Sequence, residues 1–145
     1  MSADLDTAAR ATFGALADVL LPAVDDLPAP TSIDVHGRWL DRALDARPDL
    51  AEPLRAILAA ATGADAAAEA RRLRADDPDA FAVLSLLVTG AYYLSPTVRR
   101  RIGYPGQKPD PAPDDEADYW LRDGILEPVA ARGPRWRRPP DAPAG

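Results

Sequence analysis

Asp77-Pro78-Asp79-Ala80-Phe81-Ala82-Val83-Leu84-Ser85-Leu86-Leu87-Val88-Thr89-Gly90-Ala91-Tyr92-Tyr93-Leu94-Ser95-Pro96 is the stretch whose reading decides the fold. Asp77 offers a side-chain oxygen to open a helix, and Pro78 suits the first turn, where its missing N–H would have no partner anyway. Phe81, Leu84, Leu87 or Val88, and Tyr92 then follow at helical spacing, and apolar residues cover most of the circumference. The charge-free run from Ala80 to Val98 is nominally long enough to cross a bilayer, but Ser85, Thr89, Gly90, two tyrosines, Ser95 and Pro96 interrupt it. The segment reads as a buried central helix, against which the other elements must pack.

Upstream, Leu5, Ala9, Phe13, Leu16 and Leu20 gather on one face of a helix over Asp4 to Leu21, which Pro22 ends. A proline-spaced connector with Asp25 and Asp26 leads to Thr31, Ser32 and Asp34, candidate caps for a second helix through Ala46 with Ile33, Leu40 and Leu44 inside. Pro48, Asp49 and Glu52 start a third helix carrying Leu50, Leu54, Ile57 and Leu58, stopped at Gly63. Ala64 to Ala75 is alanine-rich with Leu73 as its one large apolar residue, so a weakly anchored surface helix is expected.

Downstream, Ser95-Pro96 opens a short helix that Gly103 should end in a left-handed conformation. Four prolines between Tyr104 and Pro113 then forbid a regular element. A last short helix is expected from Asp114 through Leu121, with Gly124 as its stop. The expected fold is all-α: a compact bundle of about five to six short helices over residues 1–103, with an extended proline-rich arm over 104–145.

The chain's 145 residues suit one domain, and its 47% apolar and 28% charged content is ordinary for a globular protein. With no cysteine it can hold no disulfide, thiol nucleophile, iron–sulfur cluster or covalently attached c-type haem. The N-terminus lacks a basic region and an apolar core, so no export signal is read. Removing the four arginines of 132–138 from the net charge of −6 leaves −10, an acidic body that repels phosphate backbones and anionic lipid.

Chemistry is sparse. His36 is the only histidine, and an acid at position 33 of a Glu-x-x-His metal pair is replaced by Ile33. An enzyme built around His36 with Asp34 and Asp41 is the weakest functional reading. The acidic clusters Asp25-Asp26, Asp76-Asp77 and Asp114-Asp115-Glu116 lie where helices begin or loops turn, which capping explains. Gly103-x-x-Gly106 is too short for a phosphate loop and carries a proline. No catalytic, metal or cofactor site is expected in this chain.

Two stretches resemble the gluconate 2-dehydrogenase subunit 3 family. Ala17-Asp18-Val19-Leu20-Leu21-Pro22-Ala23 is similar to that family's opening helix and Leu-Pro turn. Ala91-Tyr92-Tyr93-Leu94-Ser95-Pro96, a short basic stretch and Ile102-Gly103-Tyr104-Pro105-Gly106 resemble its Tyr-Tyr, Ser-Pro and Gly-Tyr-Pro-Gly succession. The resemblance covers roughly residues 12 to 107. It implies a non-catalytic, chaperone-like small subunit of an oxidoreductase complex, bound to a large flavoprotein dehydrogenase of the glucose–methanol–choline type, with FAD in that partner. Sugars, polyols or sugar acids are the implied substrates. Many members carry a twin-arginine export signal, whereas this N-terminus has only Arg10, so a cytoplasmic complex is expected.

The expected partner-binding residues are Tyr92, Tyr93, Tyr104, Pro105, Trp120, Arg135 and Trp136, with residues 104–138 largely at the interface. The alternative is a free-standing helical module using Arg132-Gly133-Pro134-Arg135-Trp136-Arg137-Arg138 on RNA or an acidic protein.

Overall fold

The computed structural model describes residues 5–108 and 123–133. Among them are seven α-helices: α1 (Thr7–Leu20), α2 (Leu40–Ala46), α3 (Ala51–Ala61), α4 (Ala66–Asp76), α5 (Pro78–Leu94), α6 (Pro96–Arg101) and α7 (Glu127–Ala130). The described residues hold no strand, and the fold class is all-α. The chain divides into two compact units, Met1–Gly106 and Gln107–Gly145.

In the first unit α5 is the central element, packed against α2, α3, α4 and α6. Leu84, Leu87, Val88, Ala91 and Tyr92 of α5 are buried. They meet Phe13 and Leu16 of α1, Leu40 and Leu44 of α2, and Leu54, Ile57 and Leu58 of α3 in one core. Each fully buried leucine contributes roughly 1.5–3 kcal/mol relative to exposure, so this cluster supplies most of the drive to fold. Three helices start as their aspartates dictate. Asp6 accepts from the Ala9 N–H at 2.7 Å, Asp65 from Ala68 at 2.8 Å and Asp77 from Ala80 at 3.0 Å. Among the described residues no helix is long and apolar enough to cross a membrane.

The second helix differs from expectation. Pro30–Ile33 forms one 3-10 turn, Asp34 is left-handed at φ 61°, Val35–Trp39 is a wide π turn, and only Leu40–Ala46 is α-helical. Gly37 causes the break, with φ −100° and ψ −119°. A Cβ there would lie 2.2 Å from Asp34 Oδ1, so any larger residue would displace the Asp34 carboxylate. Arg10 of α1 stabilises the broken backbone. Its guanidinium donates to the carbonyls of His36 at 3.1 Å and Leu5 at 3.2 Å, and pairs with Asp41 at 2.7 Å.

The proline connector is held near its C-terminal end. Asp18 accepts from the Thr31 N–H at 2.9 Å and hydroxyl at 2.6 Å, and the Tyr92 hydroxyl donates to the Pro28 carbonyl at 2.8 Å. Earlier in it Asp25, at φ 50°, turns the chain so that Val24 and Leu27 exchange backbone hydrogen bonds.

The fourth helix also departs from expectation. α4 does lie at the surface, with Ala68, Arg71 and Arg74 exposed, but it is not weakly anchored, because Glu69, Ala70 and Leu73 are buried and the helix lies close along α1 and against α5. Its buried face is made of one alanine, one leucine and one carboxylate, while Ala11 and Ala15 of α1 are exposed and line an open pocket with Ala66 and Glu69 of α4.

In the second unit, Gly124 is left-handed at φ 69° and α7 follows, leaving Ile125, Leu126 and Val129 exposed. The helix expected over Asp114–Leu121 lies outside the described residues.

Candidate partner-binding surface

The junction of α5 and α6 follows from its sequence. Ser95 takes an extended conformation, φ −66° and ψ 124°, as the residue before a proline is biased to do. Pro96 then occupies the first turn of α6, and Val98, fully buried, fixes this short helix to the core.

At the far end, the Gly103 N–H donates to the Arg100 carbonyl at 3.2 Å and the Tyr104 N–H to the Arg99 carbonyl at 2.8 Å. This is a Schellman termination, and it requires the left-handed φ of 70° that Gly103 supplies. The loop of backbone so formed sends Tyr104 and Pro105 out of the helix with their side chains exposed.

The two tyrosines that end α5 have opposite fates. Tyr92 is 4% exposed, and its hydroxyl is bonded to Pro28. Burial raises its phenol pKa above the ordinary value of 10.0. Tyr92 therefore belongs to the core, which corrects its expected place on the surface. Tyr93, one residue and about 100° further round the helix, is 46% exposed and meets the Tyr92 ring edge-on with centroids 5.6 Å apart.

Leu86, Gly90 and Tyr93 recur at spacings of four and three, the arrangement that sets residues on one helix face, and all three are exposed. Ile102 and Tyr104 add further exposed apolar surface at the end of α6. Arg99, Arg100 and Arg101 fill its last turn, where cations complement the negative end of the helix dipole. Among the described residues none of the three pairs with a carboxylate.

Of the expected partner-binding residues, Tyr93, Tyr104 and Pro105 are exposed at this corner. Trp120, Arg135 and Trp136 lie outside the described residues. Sequence reasoning passed over Leu86 and Ile102, although Leu86 sits seven residues before Tyr93, a signal of a shared face.

His36 packs over α1, where a Cβ added at Gly14 would lie 3.4 Å from its Cβ and Cγ. Its Nδ1 is buried without a hydrogen-bond partner among the described residues. Asp41 is bonded to Arg10, and Asp34 accepts from the Arg38 N–H at 3.4 Å, so neither carboxylate is arranged to orient the imidazole. The described residues contain no group of three His, Asp or Glu side chains suited to a metal ion.

Comparison with family models, with curated proteins and with solved structures returns no match to this chain. The resemblance described above therefore rests on its motif residues alone.

Proposed function

We propose that this chain is a non-catalytic small subunit that binds and stabilises a larger FAD-dependent dehydrogenase of the glucose–methanol–choline type, acting on a sugar, polyol or sugar acid. The observation that carries the reading is the α5–α6 corner. The residues of the Tyr-Tyr, Ser-Pro and Gly-Tyr-Pro-Gly succession fold into a buried anchor, Tyr92 and Val98, and an exposed set, Tyr93, Tyr104 and Pro105. Exposed aromatics beside arginines are the composition of interface anchors. FAD and the reacting groups belong, in this reading, to the partner.

The test is affinity purification of the tagged full chain from its native host, with mass spectrometry and an absorbance scan of the eluate. A flavin spectrum with one large partner in about equal amount supports the reading. The Y93S/Y104S double variant should recover that partner at least about tenfold less efficiently, with its helical circular dichroism unchanged. A colourless monomer, or nucleic acid in place of a protein, overturns the reading.

A further inference from the structure

A second feature lies beside the same corner and has a different character. Ser32, Ile33, Asp34 and Arg38 of the broken connector face Ser95, Pro96, Thr97 and Arg100 of the α5–α6 junction across an open cleft of about 480 Å³. Among these residues only Ile33 and Pro96 carry apolar side chains.

Ser95 is the unusual member. It is only 2% exposed, yet its hydroxyl caps no backbone N–H and has no hydrogen-bond partner among the described residues. Asp6, Asp65 and Asp77 all use their side chains at helix starts, so the same position in α6 leaves its oxygen for something else.

The two arginines define the sign of that ligand. The Arg38 guanidinium carbon lies over the Trp39 ring, 4.5 Å from its centroid. Among the described residues its only ion-pair partner is Asp34, at a loose 4.0 Å, and Asp34 already accepts from the Arg38 backbone. Arg100 donates a long 3.4 Å bond to Thr97 Oγ1 and pairs with no carboxylate among the described residues. Two guanidiniums against one committed carboxylate, with the Ser95 and Thr97 hydroxyls lining the same cleft, match the chemistry of an oxyanion.

We infer that this cleft binds the phosphate or carboxylate group of a small molecule, held by Arg38 and Arg100 with Ser95 and Thr97 as hydroxyl donors. The inference does not depend on the accessory-subunit reading, since it requires no partner protein.

It is tested on the full chain by titrating inorganic phosphate and, separately, acetate, while following the side-chain Nε resonances of Arg38 and Arg100 by NMR. Sodium chloride at matched ionic strength is the control. Saturable shifts of both resonances with either anion and not with chloride are expected. Phosphate alone, or acetate alone, then identifies the source of the oxyanion. R38Q, R100Q and S95A should each weaken binding, the arginine variants by about tenfold or more, while R42Q, an exposed arginine outside the cleft, leaves it unchanged. Shifts that follow ionic strength equally in chloride, or that survive R38Q and R100Q, overturn the inference.

Discussion

α4 and α5 are neighbours in the chain, and each opens with an aspartate that accepts a backbone N–H, yet they join the core by different means. α5 buries large side chains, Leu84, Leu87, Val88 and Tyr92. α4 buries Ala70, Leu73 and a carboxylate, Glu69. One helix is held by the apolar area it removes from water, and the other lies close along α1 while burying little side-chain bulk. The difference teaches that apolar bulk along a helix measures how a helix is buried and not whether it is.

The largest effect should come from cutting into the first mechanism. Leu84 is fully buried at the centre of α5, so L84A loses its transfer energy and leaves a cavity. A destabilisation of about 3 kcal/mol is expected by urea unfolding, with the slope of the transition unchanged. A loss below about 1 kcal/mol would mean that α5 is less central than its burial indicates.

The second mechanism breaks in the opposite sense, by adding volume. A70L places a larger side chain on a helix face that is only 5% exposed, and should destabilise by about 2 kcal/mol through overpacking. Ala68, exposed on the same helix, sharpens the contrast, because A68L should change stability by less than about 0.5 kcal/mol. Equal effects at both positions would show that α4 is not held by close approach.

This contrast also marks what the sequence makes legible. α5 could be read directly, from its Asp-Pro start to the spacing of Leu84, Val88 and Tyr92, because local rules and burial agree there. Gly103 could be read too, since a helix stop of that kind depends on a few adjacent residues. The anchoring of α4 could not be read, because an alanine-rich stretch reports propensity but not the contacts with α1 and α5 that bury one of its faces. The break at Gly37 was invisible for a related reason: its stabilising partner, Arg10, lies 26 residues from the His36 carbonyl it binds.

At the candidate surface, helical phase separates Tyr92 from Tyr93. Tyr92 continues the row of Leu84 and Val88, while Tyr93 continues that of Leu86, so their opposite fates follow from spacing once the inward row is fixed. The cleft of Ser95, Arg38 and Arg100 had no such signal, because it forms only where the connector and the α5–α6 junction meet.

The smallest effect concerns the one charged group that α4 carries into its packing. Glu69 is 8% exposed, and its carboxylate accepts from Arg72 Nε at 2.9 Å and Nη2 at 2.6 Å. Those hydrogen bonds hold its pKa below the ordinary value of 4.5, against desolvation, which pushes the other way. A folded pKa below the unfolded one means stability that is fully present above about pH 4.5 and is lost as pH falls through the lowered value. E69Q removes the titrating group, so the melting temperatures of wild type and variant should differ near pH 7 and converge toward pH 3. Because about half of the Arg72 side chain is exposed, the difference at pH 7 should also shrink with added salt. A difference that persists unchanged at low pH would show that Glu69 acts through its shape and hydrogen bonding, and that α4, like α5, is held without help from charge.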